Sequence, residues 1–186
     1  MGFAQAAVLA PVSFFLGILF ICFNVDHRIL WGQLTNDVID DGFQFYATFF
    51  NAPPAIKALL HGMIGVGLVG LISKLHKWDE SAMFFDGSSL GAYVFSIAVY
   101  ITVTIPALQT IVTPPEASES VQEAQAERVQ AMRVLSAGNV IIMVCLGAIL
   151  ALQAGQEYAR RAEAKALAKI EEEERRKATR VEKKDE

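Results

Sequence analysis

Acidic and basic side chains are nearly absent from four apolar stretches of this chain, residues 3–23, 55–73, 90–112 and 134–153, and are concentrated between and after them. About 20 apolar residues in a helix cross a hydrocarbon core ~30 Å thick. Repetition of that pattern predicts an all-α membrane protein, with a four-helix transmembrane bundle in residues 1–156. Residues 157–186 are then a charged, helical, cytosolic tail. The first stretch is expected to be retained: no lysine or arginine precedes it, and no small-residue cleavage site follows it. The net charge of −4 says little when charge is so segregated. It implies no nucleic-acid partner.

The second stretch is the least ordinary. Asn51 to Ser73 carries Gly62, Gly65, Gly67 and Gly70 within nine residues, although a glycine inside a helix costs roughly 1 kcal/mol relative to alanine in water. In a bilayer small residues have a use, since helices associate there through close backbone approach. At 100° per residue Ala58, Gly62, Gly65, Gly70 and Ser73 share one broad face, with Gly67 at its edge and His61 beside it. This face is expected to be a groove for another helix. Gly65-x-Gly67-x-x-Gly70 matches a dinucleotide fingerprint only superficially, because no strand precedes it and no helix N-terminus is exposed to phosphate.

Between the spans, residues 24–54 mix Asp26, Arg28, Asp37, Asp40 and Asp41 with six aromatic residues, Trp31, Phe43, Phe45, Tyr46, Phe49 and Phe50, a composition suited to the headgroup level. Pro53-Pro54 allows a helix to start. Lys77 and Trp78 fall in the next connection, and Asp86 or Ser88 is a candidate cap for the third span. Pro106 is expected to kink that span. After Pro114-Pro115, Ser120-x-x-Glu123 reads as a capping box. Asn139 in the fourth span suits an interhelical hydrogen bond. Glu171, Glu172 and Glu173 precede Arg175, Arg176 and Lys177 by four residues, as in a solvated helix.

Lys74, Lys77 and ten basic residues after Gln156 lie on one side of a four-span topology, against Arg28, Lys57, Arg128 and Arg133 on the other. The positive-inside rule then puts both termini in the cytosol. Lys183 and Lys184, at the end of such a tail, resemble a dilysine retrieval signal for the endoplasmic reticulum. Cys22 and Cys145 lie inside apolar stretches and are expected to be free thiols. His27, His61 and His76 have no second ligand at metal-binding spacing, and no nucleophile elbow or phosphate loop is present. No catalytic residue, metal or cofactor is expected. A transporter's ionisable core groups are also nearly missing from the four stretches. A small four-span transporter or ion-pathway subunit is the alternative to a protein that works by helix contact.

Several runs carry a family resemblance. Ser13-Phe14-Phe15-Leu16-Gly17, Asn51-Ala52-Pro53, His61-Gly62-Met63-Ile64-Gly65-Val66-Gly67, Lys74-Leu75, Phe85-Asp86-Gly87 and Leu152-Gln153-x-Gly155-Gln156-x-Tyr158 resemble the fungal super-high-histidine-resistance family. The resemblance covers the four spans in order. It implies an endoplasmic-reticulum membrane chaperone that shields the transmembrane helices of newly made amino-acid permeases, prevents their aggregation and supports their packaging into COPII vesicles. The implied partners are polytopic membrane proteins, amino-acid permeases above all, with COPII coat components reached through the tail.

Overall fold

In a computed structural model, the structure describes residues 2–76, 80–113 and 120–182. Lys77, Trp78, Pro114, Pro115, Lys183 and Lys184 lie outside the described residues. Those described form six α-helices, α1 (Phe3–Trp31), α2 (Asn36–Phe50), α3 (Pro54–Leu75), α4 (Glu80–Val99), α5 (Ile105–Val112) and α6 (Val121–Glu182), with a π-helical turn, Tyr100–Thr104, joining α4 to α5. No strand occurs among the described residues. Four helical segments are long and apolar enough to cross a membrane: α1, α3, Met83–Val112 and the apolar part of α6.

Local chemistry accounts for most of the boundaries. Thr35 caps α2 by accepting from the Val38 N–H, and Ser120 caps α6 by accepting from the Glu123 N–H at 3.2 Å. Pro53 precedes α3, and its carbonyl accepts the first helical N–H groups, those of Ile56 and Lys57. Pro106 cannot donate a backbone hydrogen bond, and its ring crowds the carbonyl four residues back. The chain widens into the π turn just before it, where the Ile105 N–H bonds to the Tyr100 carbonyl. From Val121 to Glu182 no proline interrupts the chain, and α6 runs unbroken for 62 residues, about 93 Å. Beyond the bundle it is supported by Glu157–Arg161 and Glu172–Arg176 pairs.

Two boundaries differ from expectation. Helix α1 runs on to Trp31, so Asp26 is a helical residue and not part of a loop. Helix α4 starts at Glu80, so neither Asp86 nor Ser88 is a cap. In both cases an apolar-window reading stopped at the first charge, although the charged side chain is buried and the helix continues through it.

The long helix α6 is the post of the bundle. It packs along α1, α4, α5 and the π turn, and touches α2. Two apolar clusters form around it. Val8, Val12, Leu71, Tyr93, Ile142, Leu146 and Ile149 join α1, α3, α4 and α6. Ile29, Tyr46, Ala107, Ile111, Met132 and Leu135 join α1, α2, α5 and α6. Helix α3 belongs to the first cluster alone, and among the described elements its backbone comes close only to α1 and α4. Its C-terminal half is held tightly. A Cβ on Gly70 would come within 3.0 Å of the Ala7 backbone, and one on Gly67 within 2.7 Å of the Tyr93 ring. The bare Gly67 lets the Tyr93 hydroxyl reach the Ile64 carbonyl at 3.2 Å. Its N-terminal half is different: residues 54–59 are exposed without exception.

Adding a leucine side chain at Gly67 or Gly70 should therefore destabilise the purified protein, by the ~1–3 kcal/mol typical of overpacking. At Gly65, where nothing lies within 4 Å of an added Cβ, the same change should leave the detergent melting temperature nearly unaltered.

Candidate functional site

Two buried polar clusters close the bundle at its ends. At the first, Lys74 from the end of α3 forms an ion pair with Asp86 of α4 at 2.7 Å. Its ammonium also donates to the side-chain oxygens of Gln153 and, at 2.7 Å, Gln156, both of α6. The Gln153 amide donates to Asp86 and to the Ser89 hydroxyl, each at 3.1 Å, and the Gln156 amide donates to Asp86 at 2.8 Å. All three ammonium protons have acceptors, and both carboxylate oxygens have donors. That degree of satisfaction is what allows an ion pair to be removed from solvent. Beside it, Phe85 packs on Gly155, whose added Cβ would sit 3.3 Å from the ring.

At the opposite end, Asp26 of α1 accepts from the Tyr46 hydroxyl of α2 and, at 3.1 Å, from Asn139 of α6; Asn139 also donates to the Tyr46 oxygen at 3.2 Å. Burial first, and then the neighbouring Asp26 carboxylate, hold the Tyr46 phenol above its ordinary pKa, so it serves as a donor. Nearby, Arg128 donates to the Ile111 carbonyl at 2.8 Å and lies 4.2 Å from the Phe43 ring centre, tying α6 to α5 and α2. Asn139 and Gln153 are fourteen residues apart on one helix, so the two clusters are about 21 Å apart along the bundle.

Between the clusters a cleft of ≈ 310 Å³ opens beside the free half of α3. Leu60, His61 and Ile64 form one wall; Ile97, Tyr100 and Leu108 face them; Ile142 and Leu146 of α6 form the back; and Phe49 and Phe50 of α2 close one end. Its lining is overwhelmingly apolar, with a few polar groups. The His61 Nδ1 lies 2.7 Å from the Lys57 carbonyl. Since a carbonyl only accepts, Nδ1 carries the proton and leaves Nε2 as an acceptor in the neutral ring. The His61 and Tyr100 rings meet edge-on at 6.1 Å. Ser73, Ser89, Ser96, Thr102 and Thr110 each donate to the carbonyl four residues back. Thr104, at the end of the π turn, does not, and its buried hydroxyl has no partner.

The structure divides the glycine face expected from the sequence. Gly67 and Gly70 are buried in the seam with α1 and α4. Gly62, Gly65 and Ser73 border a second, outward groove of ≈ 470 Å³ shared with Phe3, Ala4 and Ala7. Ala58 is exposed, and His61 turns to the main cleft. Asn51 caps the C-terminus of α2, and Pro53 precedes α3. Asp86, Gln153 and Gln156, with Phe85 against Gly155, meet in the first cluster; Gly87 has no neighbour within 4 Å of an added Cβ. The sequence analysis placed Asp26 and Lys74 in connections and left Tyr46 as one of many loop aromatics. Continuing the helical face of α3 by one residue beyond Ser73 would have found Lys74. Nothing local marks Asp26 or Tyr46 as partners of Asn139.

The motifs Lys74-Leu75, Phe85-Asp86-Gly87 and Gln153-x-Gly155-Gln156 are thus one assembled unit. Residues 1–186 match the protein family described as ER membrane protein SH3, the SHR3 chaperone family. The chain belongs to this family. It is accordingly an endoplasmic-reticulum membrane protein of a family of chaperones, not of enzymes. No match to the chain is found among curated proteins or among solved structures.

Replacing Lys74 by alanine would leave Asp86 buried without its counter-charge, and the expected loss is about 3–5 kcal/mol. The double change Lys74→Met with Asp86→Leu should recover only part of that, because the Gln153 and Gln156 amides lose their partners. Thermal unfolding of the three proteins in one detergent measures both effects.

Proposed function

We propose that this chaperone holds transmembrane helices of newly made polytopic proteins, amino-acid permeases above all, at the cleft beside the N-terminal half of α3. The observation that carries the reading is that half-helix itself: residues 54–59 are exposed on every face, while the other half is packed by Gly67, Gly70 and Leu71. A helix with one half anchored and one half unpartnered in the bilayer offers its free half to another helix. Association there gains little from hydrophobicity and depends on packing and on modest interhelical hydrogen bonds. The unpartnered Thr104 hydroxyl and the His61 Nε2 supply such bonds sparingly, which suits transient holding. No nucleotide is required, since assembly of the client with its own helices can displace the chaperone.

Along α6 the cleft is lined from Leu135 to Leu146, about 16 Å. The free half of α3 is the element with least holding it. Both termini are cytosolic in this reading, supported by the excess of basic residues on that side. The tail from Gln156 to Glu182 is then a rod about 39 Å long. It carries Lys183 and Lys184 as a retrieval signal and offers a surface to COPII coat components.

The buried Asp26, Lys74 and Asp86 favour one other reading, a small transporter, because intramembrane ionisable groups often mark ion pathways. Against it, each group sits in a closed hydrogen-bonded cluster, and the wall between the clusters is apolar. Ion or amino-acid flux in vesicles containing the purified protein would favour the transporter.

The client reading is tested by tethering. With Cys22 and Cys145 replaced by alanine, a short bis-maleimide linking His61→Cys to Tyr100→Cys should leave the protein folded but abolish its capture of a permease. Gly65→Leu, which fills the outward groove, should retain capture. The reverse pattern would move the client site to that groove. Topology is checked separately: glycosylation acceptors placed between Gly32 and Thr48 should be modified, and those near His76 or in the tail should not. Changing Lys183 and Lys184 to serine should release part of the protein to the Golgi.

A further inference from the structure

We propose that the cleft is also a phospholipid site, in which one acyl chain lies along the slot and the phosphate of an anionic glycerophospholipid rests against Lys57. Two features lead to this ligand. The first is shape and direction. The lining follows α6 from Leu135 to Leu146, about 16 Å, so the slot is elongated along the bundle axis, as a lipid chain is. The second is charge. Lys57 is one turn into α3, at the end of a helix about 33 Å long that just spans a hydrocarbon core. Its side chain therefore lies at headgroup level. It is exposed, forms no salt bridge among the described residues, and lies 5.4 Å from the centre of the Phe50 ring. An unpaired ammonium lining an elongated apolar slot is complementary to a phosphate joined to an acyl tail.

Apolar walls alone would not select a lipid, because the surrounding chains are as apolar as leucine. Retention depends on the Lys57 contact and on the fit of the chain against Ile97, Ile142 and Leu146. The bound chain fills the space beside the free half of α3 while no client is present. That a client displaces it rests on the reading of the cleft as the client site.

The full-length protein in phosphatidylcholine vesicles, doped with phosphatidic acid carrying a photoactivatable group on its acyl tail, tests the proposal. Mass spectrometry should find the label on Ile97, Ile142 or Leu146. Lys57→Gln, an exposed substitution that leaves folding intact, should lower that labelling about fivefold, the equivalent of ~1 kcal/mol for one lysine near an anionic surface. Lys57→Arg should preserve it, and Ile142→Trp should remove it. Label confined to outer positions such as Ile56, Leu59 and Ile72 would overturn the proposal, as would cleft labelling indifferent to Lys57→Gln. Adding a synthetic transmembrane helix of an amino-acid permease separates the two readings. If the helix lowers the labelling, both stand; if specific labelling persists unchanged, the lipid site stands and the client site lies elsewhere.

Discussion

Charged side chains within a membrane protein must find partners inside the bundle, and the Lys74–Asp86 pair meets that demand in a way that determines much else. One lysine, one aspartate, two glutamines and a serine from three helices form a network in which the charged groups are saturated. Removing any partner would leave a buried charge or amide unsatisfied, so α3, α4 and α6 meet there in one register. The backbones of α3 and α6 do not come close to one another. The long lysine side chain is the polar link of α3 to the post of the bundle.

With the Asp26–Tyr46–Asn139 cluster at the other end, the bundle is pinned at both ends and comparatively open between them. The second cluster includes α2 and excludes α3. The N-terminal half of α3 is consequently left out of both the polar pinning and the second apolar core. The cleft is the space that this omission creates. The π turn before Pro106 faces it, and there Thr104 lacks the bond to the carbonyl four residues back that Thr102 makes. A holding chaperone for membrane helices needs such features: apolar surface that is reachable from the side, few and weak polar contacts, and one element able to give way.

The glycines of α3 illustrate how one sequence signal can carry two structural roles. Gly67 and Gly70 are small because Tyr93 and Ala7 leave no room for a side chain. Gly62 and Gly65 are not crowded at all. Helical periodicity put Gly62, Gly65 and Gly70 on one broad face, but it contains no information on how far along the helix a neighbouring helix stays in contact. Helices α1 and α4 accompany α3 for only part of its length.

Hydropathy and charge spacing by themselves determined the all-α class, the four segments long and apolar enough to cross a membrane, the capped start of α6 and its continuation as a charged helix. These depend on backbone satisfaction in lipid and on local capping, which a short window of residues contains. The family was legible too, through His61-Gly62 onward and Phe85-Asp86-Gly87. What those motifs do was decided only by tertiary structure. Asp86 lies 67 residues from Gln153, and Asp26 lies 113 from Asn139. A charged residue at the end of an apolar run looks like the start of a loop until a partner from a distant helix is seen to neutralise it. The helix continues through Asp26 and Asp86 because that partner exists, and the sequence around each one does not contain it.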